Sequence, residues 1–426
     1  MPTDRISGSH DDPVVVIGGG VIGVCCAYFL AKAGIPVLLL EESEICSGCS
    51  FGNLGLLAAS HSTPLASPGV IFKALRWMFN KKSPFSIHLR PDPQLVSWLW
   101  RFFRASRSHR SPTATAELLK LVLASMALFD ELTSTNDFTF GLEKKGVLEL
   151  FTTTEGFAAA ENRAPALRDA GLNVDVLDAI AVKAWEPLAA SGVRGGLLYH
   201  DDCHVQPANF VRGLAALAVK AGAEIQEHTA VTDFSVPGNR ISGVTTDKSF
   251  HKASAVILAA GAASPKLAGA LDVKLPVQAA RGYSFTIPAP VRRPSRPIMF
   301  SEAKALLTPM GNELRLGGVL ELTGAGTEVD TRRAKALLKS CNRYLLPEIS
   351  FDGVAPWSGY RPCSPDGFPI VGWSQRWPNL LYATGHGMLG LTLGPLTGQI
   401  ATSLLKGEKA RRDMARIVPS RFGNSL

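Results

Sequence analysis

The stretch VVVIGGGVIGVCCAYFLAKAGIPVLLLEE, residues 14–42, decides how the rest of the chain is read. Val14 to Ile17 is an unbroken β-branched run, the pattern of a strand buried on both faces. Gly18, Gly20 and Gly23 then form G-x-G-x-x-G. A helix is expected from Val21 to Ala33, closed by Gly34, and a second apolar strand from Val37 to Leu40. In such a unit the first glycine permits the tight turn. The second lets backbone N–H groups around Val21 and Ile22 approach a pyrophosphate, and the third lets helix and strand pack closely. The helix N-terminus adds partial positive charge. Glu41 and Glu42 end the second strand, and a carboxylate at Glu41 is placed to accept from ribose hydroxyls and disfavours a 2′-phosphate. The unit predicts an adenine dinucleotide, FAD or NAD, over an ordinary glycine-rich turn.

Pro13 to Ala31 carries no charge and has the length of a membrane span, but three consecutive glycines suit a turn and not a helix interior. No transmembrane helix is predicted. The 426 residues suffice for two domains, and a net charge of +8 with a pI of about 9.1 favours anionic ligands. Zinc-finger spacing, RNA-binding signatures and long basic runs are lacking, so nucleic acid is not an expected partner. Seven cysteines, an odd number with Cys25 and Cys26 adjacent, argue against a secreted disulfide framework and for a reducing, cytoplasmic compartment. The polar, acidic start lacks the features of a signal peptide.

Three further stretches surround the same ligand. SEICSGCSFGNLGLLAAS, residues 43–60, is a loop rich in small residues that can wrap a second nucleotide half, with Ser47, Ser50, Asn53 and Gly55 at hand. Cys46 and Cys49 lack a second cysteine pair or nearby histidines, so close packing is preferred to metal or thiol redox chemistry, and no metal is expected. SAVILAAGAAS, residues 254–264, is another β-branched strand, closing on Gly261 where a backbone can approach the cofactor. Near the end, a strand from Leu380 to Ala383 leads into Gly385, His386, Gly387, Met388 and Gly390, followed by a helix from Leu391 to Leu405. No third element closes a second βαβ unit. The glycine loop therefore aims a helix N-terminus at an electron-rich group, such as the N1–C2 carbonyl edge of a reduced flavin. His386 either lines that group or is hydrogen-bonded structure.

SGYRPCSPDGFPIVG, residues 358–372, holds Arg361 between Tyr360 and Pro362, where proline stiffens the backbone around one cation. Taken in order, the N-terminal glycine motif with its acid, AAGAAS, SGYRPCSPDGFPIVG and TGHGMLG resemble the FAD-dependent amino-acid oxidoreductases, a group that includes D-amino-acid oxidase, glycine and sarcosine oxidases and bacterial D-amino-acid dehydrogenases. ASPGVIFKALRWMF (66–79), RGYSFTIP (281–288), NELRLGG (312–318) and PSRF (419–422) resemble the dehydrogenases in particular.

The resemblance spans nearly the whole chain. It implies an α/β fold: a Rossmann-like FAD-binding domain from discontinuous segments (1–65, 195–272, 346–426) and a mixed-sheet α+β substrate domain (66–194, 273–345). It implies non-covalent FAD, since Cys363 does not align with the anchoring cysteine of sarcosine oxidases. It also implies that Arg361 binds the substrate carboxylate, a planar fork that fixes the amino acid so that its Cα–H faces flavin N5. Tyr283 and Tyr360 are candidate second partners for that carboxylate; the other reading of each is a buried ring with a bonded hydroxyl.

The function implied is oxidative deamination of D-amino acids, cyclic ones such as D-proline included. The alternatives are a glycine- or sarcosine-type amine oxidase using oxygen, and a non-enzymatic FAD-binding protein. The electron acceptor is left open among quinone, oxygen and a partner protein. Residues 70–110 pair aromatic faces with Lys73, Arg76, Lys81, Lys82, Arg101, Arg104, Arg107 and Arg110. They read either as a helix pair with solvated charges or as a peripheral contact with anionic lipid on the inner face of the cytoplasmic membrane.

Overall fold

The computed structural model describes residues 12–62, 85–87, 91–108, 112–135, 138–324, 329–346, 349–408 and 414–423. Lys73, Arg76, Lys81, Lys82 and Arg110, with the whole 66–79 match, lie outside them. In chain order come β1 (Val14–Ile17), α1 (Val21–Lys32), β2 (Val37–Leu40), β3 (Leu56–Leu57), β4 (Phe85–Ile87), α2 (Pro93–Ser108) and α3 (Pro112–Thr135). Next are β5 (Val147–Phe151), α4 (Thr154–Asp169), β6 (Val174–Asp178), α5 (Ala179–Trp185), β7 (Gly195–Tyr199), β8 (Cys203–His204) and α6 (Pro207–Lys220). Then follow β9 (Glu224–Gln226), β10 (Val231–Ser235), β11 (Gly243–Thr246), β12 (Phe250–Lys252), β13 (Ala255–Leu258) and α7 (Ser264–Gly269). The last elements are β14 (Gln278–Pro288), β15 (Ile298–Phe300), β16 (Ala305–Met310), β17 (Glu313–Leu322), α8 (Thr331–Cys341), β18 (Trp357–Cys363), β19 (Ile370–Trp373), β20 (Leu380–Thr384) and α9 (Gly390–Leu405).

The first sheet runs β19-β20-β13-β1-β2-β9 and is parallel except for β19. Its apolar strands are covered on both sides, which is why they do not alternate in polarity. Val14 and Val16 pack with α1, α6 and α9. Val15 and Ile17 face the other way, onto the β10–β12 meander through Phe234 and Val244. Helices α1 and α9 approach closely because a Cβ on Gly398 would lie 2.5 Å from Cys25 O. The adjacent cysteines are thus small, fully buried core residues, and burial pushes the Cys26 thiol up to about 12.

The second sheet runs β18-β14-β17-β16-β15-β5-β7-β6, with β4 added to β17. It is mixed: β15 is parallel to β5 and β4 to β17, while the other pairings are antiparallel. Sheet membership departs from two of the expected segment boundaries. β7 and β18, both expected with the cofactor domain, pair in this second sheet instead. A strand that only passes from one sheet to the other carries no break in composition to mark the crossing.

Strand alternation sorts β14 and β18 into two faces. Gln278, Ala280, Gly282 and Ser284 share one face with Cys363, Arg361, Gly359 and Trp357. Arg281 and Tyr283 share the other with Tyr360 and Ser358. The second face is sealed by α8, where Tyr283 and Phe285 join Ala334, Leu337 and Cys341 in one core. The first face receives the 51–54 loop.

Candidate active site

The carboxyl ends of β1, β13 and β20 lie side by side, and each runs into a glycine turn. After β1, Gly18 has a φ of +110° and donates its N–H to Leu40 O at 2.9 Å. A Cβ on Gly23 would lie 1.8 Å from Gly18 O, so only glycine lets α1 begin so close to the strand. Gly20 is the N-terminal cap of α1 and has no side chain to satisfy the first amides. Ser50 Oγ accepts from Val21 N–H at 3.0 Å. The amides of Gly20, Ile22 and Gly23 have no acceptor within the helix. After β13, Gly261 has a φ of +52°, with open space where a Cβ would stand. After β20, Gly385 and Gly387 take φ values of +75° and +56°, and α9 starts at Gly390. Ligand clefts in parallel sheets form at this edge.

Glu41 bends back onto the first loop. One carboxylate oxygen accepts from Gly19 N–H at 2.5 Å and the other from Ser43 N–H at 2.9 Å. Its backbone-facing role was not read from the sequence; Glu42 beside it is exposed. Asn53 Oδ1 accepts from Gly55 N–H at 2.8 Å, and Gly55 sits at a φ of +72°. These two residues shape the loop itself. That loop is fastened by Arg315, whose Nη1 donates to Phe51 O at 2.7 Å and to Asn53 O at 2.9 Å.

His386 is buried, with Nε2 2.9 Å from Thr397 Oγ1. The Thr397 hydroxyl donates to Leu393 O at 2.8 Å, so it accepts from the imidazole, which therefore carries its proton on Nε2. Nδ1 is a buried acceptor without a partner among the described residues. Burial lowers the imidazole to about 3, so it is neutral and adds no charge to the loop. Met388 beside it is 55% exposed. Gly387 N–H donates to Pro362 O at 2.8 Å, which ties the loop to β18 one residue from Arg361.

Arg361 lies part-buried on the loop-covered face of β18. Its Nη1 donates to Val319 O at 3.1 Å. Val319 is a β-branched residue at a φ of +65°, a strained conformation at the irregularity where β17 shifts register against β14. The guanidinium lies over Gly282, where a Cβ would stand 1.9 Å from Nη1. Gly359, the register partner of Gly282, is covered in the same way by the Trp357 ring, 2.2 Å from where a Cβ on that glycine would stand. Among the described residues no carboxylate pairs with Arg361. Arg163, Arg333 and Arg421, by contrast, are paired with Glu149, Glu321 and Asp366.

The two expected tyrosine partners are elsewhere. Tyr283 donates to Glu321 Oε2 at 2.7 Å beneath α8, and burial followed by the Glu321 carboxylate pushes its hydroxyl up to about 12. The Tyr360 hydroxyl accepts from Arg281 Nη2. Both sit on the face opposite Arg361, because a residue one or three positions away along the pleat points the other way. Trp357, Gly282 and Arg315 take the places on the Arg361 face. The period-two spacing of Trp357, Gly359 and Arg361 was the signal that would have found the first of them.

The protein-family model for FAD-dependent oxidoreductases matches residues 13–404. The chain belongs to that family. This oxidoreductase is 32% identical over 416 residues to D-amino acid dehydrogenase of Rhizobium rhizogenes, covering 96% of this chain and 100% of the relative. It is 33% identical over 421 residues to D-amino acid dehydrogenase of Cereibacter sphaeroides, covering 96% and 95%. Its fold matches the crystal structure of glycine oxidase from Geobacillus kaustophilus with a TM-score of 0.75 at 24% identity, over 96% of this chain and 98% of that one.

The residues present fit FAD. The oxidoreductase offers free amides at the start of α1, a glycine turn with open space at Gly261, and an orphaned acceptor at His386 Nδ1. Among the described residues no helix is long and apolar enough to cross a membrane.

Proposed function

We propose that this oxidoreductase deaminates D-amino acids oxidatively. The relatives named above support that substrate class, and one observation of the structure carries it: Arg361, which has no carboxylate partner among the described residues, lies over Gly282 beside the glycine loops. When bound, FAD supplies the oxidising power, accepting a hydride equivalent from the substrate Cα. The remaining work belongs to the chain.

Arg361 offers a planar donor fork to the substrate carboxylate, and Val319 O holds one edge of that fork in place. Gly282 leaves the room in which the guanidinium lies. The amides of Gly20 and Ile22, with the Ser50 hydroxyl, would hold the pyrophosphate, while the start of α9 with the Met388 N–H would supply dipole and donors to the flavin edge. His386 stays neutral there, and its buried Nδ1 would be available to accept a hydrogen bond from bound FAD. No protein base is required if the amine binds unprotonated, with the proton released to water beforehand. Hydrolysis of the imine then gives a 2-oxo acid and ammonia; a cyclic substrate retains the imine.

The test is anaerobic mixing of FAD-loaded enzyme with a panel of D- and L-amino acids and hydroxy-D-proline, without nicotinamide. Bleaching of the flavin by D-amino acids is expected, together with a KM increase of at least about tenfold in Arg361→Lys. Absence of bleaching across the panel overturns the proposal.

We also infer a peripheral membrane contact through α2. This helix buries Leu95 and Trp98 but leaves Val96 and Trp100 at 63% and 61% exposure, with Arg104 and Arg107 beside them. That is the make-up of an interfacial helix. Flotation with anionic vesicles should fall in Trp100→Ser, and unchanged flotation refutes the contact.

A further inference from the structure

We propose that a groove between α2, the turn after β18 and the C-terminal segment is a binding site for a phosphate-class anion, separate from the cofactor and substrate sites. The groove has a volume of about 410 Å³ and is lined by Arg101, Arg104, Arg416 and Arg421, with Asp366 as its acidic residue and Phe368 and Phe422 as its aromatic walls.

The arginines differ in how they are held. Arg421 is fully engaged: Nε and Nη2 reach the two oxygens of Asp366 at 2.7 and 3.1 Å, and Nη1 donates to Ile417 O and Val418 O. Arg416 is paired with Glu117. Arg101 donates to Phe422 O at 3.1 Å, and Arg104 is exposed. Neither Arg101 nor Arg104 has an acidic partner among the described residues. Among the described residues, two guanidinium groups without an acidic partner therefore face a cavity whose one carboxylate is already used.

Aromatic contacts fix the cluster further. Arg421 and Arg101 lie 4.2 and 5.7 Å from the centre of the Phe422 ring, and Arg416 lies 5.6 Å from that of Phe368. Arginines already stacked and bonded lose little freedom when an anion arrives. Like charges converging on one groove favour a dianion over a single carboxylate, and guanidinium forks match phosphate oxygens. The site is also wired to the catalytic region. Trp98, buried on α2, donates Nε1–H to Cys363 O at 2.9 Å, and Cys363 pairs with His386 in the cofactor loop.

A phosphate can come from a lipid headgroup or from a soluble metabolite, and the experiment separates the two. FAD-loaded enzyme is titrated with inorganic pyrophosphate by calorimetry, and separately sedimented with vesicles of phosphatidylcholine alone or mixed with phosphatidylglycerol. Saturable pyrophosphate binding is expected, weakened by about tenfold or more in Arg104→Ala, which alters only an exposed side chain, and less in Arg104→Lys. Turnover without added anion should be unchanged. If the source is lipid, phosphatidylglycerol vesicles bind and pyrophosphate displaces them; if soluble, pyrophosphate binds and leaves vesicle binding untouched. Arg101→Ala should weaken the same titration. Binding that is absent in both arms, or that ignores both arginines, overturns the site.

Discussion

Replacing Gly282 by alanine adds one methyl group at the point where Arg361, the proposed substrate clamp, rests. The position of that methyl is 1.9 Å from Arg361 Nη1, 2.4 Å from Cζ and 2.5 Å from Nη2. A carbon and a nitrogen in contact need about 3.5 Å, so the guanidinium must move by more than about 1 Å. The backbone at Gly282 is ordinary extended strand and accepts alanine, and the displaced atoms are the end of a flexible side chain. The fold should therefore tolerate the change while the clamp does not. Two charge-assisted hydrogen bonds to the substrate carboxylate are worth about 1.5–3 kcal/mol each, and misplacing both costs roughly 3–5 kcal/mol. That corresponds to a fall of about two to three and a half orders of magnitude in kcat/KM.

The assay is dye-coupled turnover of a D-amino acid at several concentrations, with the flavin spectrum and melting temperature of Gly282→Ala as controls. A parallel run with the matching amine, which lacks the carboxylate, should show little difference between variant and parent. Gly359→Ala presses instead on the Trp357 ring and should spare the carboxylate dependence. Unchanged kcat/KM in Gly282→Ala, with cofactor bound and fold intact, would refute the assignment of Arg361 as the clamp. An equal loss on the amine would refute it as well, because the effect would then lie in the cofactor.

Three other outcomes follow from the same geometry. Tyr283→Phe removes the hydrogen bond to buried Glu321 and should cost about 1–3 kcal/mol of stability in a denaturant titration. It should leave KM within roughly threefold, and a large KM increase would place the tyrosine on the substrate side after all. His386 is held near 3 and Tyr283 near 12, so neither titrates around neutrality. The dependence of kcat/KM on pH should thus follow the substrate ammonium, rising with pH by one proton, and a profile that moved in His386→Asn would contradict this. Burial raises the Asp202 carboxyl from an ordinary 3.8 to about 7, against the bonds it accepts from Ser60. The folded state then binds more protons than the unfolded state between those values, so stability falls as pH rises through that window. Asp202→Asn should raise the melting temperature near pH 8 by the equivalent of a few kcal/mol and have little effect near pH 3.5, and an equal effect at both would refute it.

The parallel sheet was legible because its signals are local. Val14–Ile17 and Val37–Leu40 are apolar without alternation, and glycine at 18 and 34 answers backbone angles that other residues avoid. The second sheet was not, since its pairings join residues far apart in sequence, such as Arg361 with Ala280. Without the register, Tyr283, Tyr360 and Arg361 looked like one cluster. One residue of register decides which face a side chain takes, and that information belongs to the partner strand. Arg315 was hidden for a related reason: it sits inside a quoted motif, yet its partners are backbone carbonyls at 51 and 53, which leave no mark on the sequence.

That hidden arginine bears on how the site is kept rigid. Arg315 joins the cofactor loop to β17, Val319 on the same strand holds Arg361, and Pro362 on β18 accepts from Gly387 of the second glycine loop. The two glycine loops and Arg361, the proposed clamp, are therefore linked by backbone acceptors on β17 and β18, which flank β14, and not by side chains alone. A clamp built on a loop would tolerate small shifts between the two sheets. Here a shift of one sheet against the other must break the Arg315 bonds, which are buried away from solvent and costly to lose. Strain at Val319 is consistent with that arrangement, since a β-branched residue stays at positive φ only where its surroundings over-determine it.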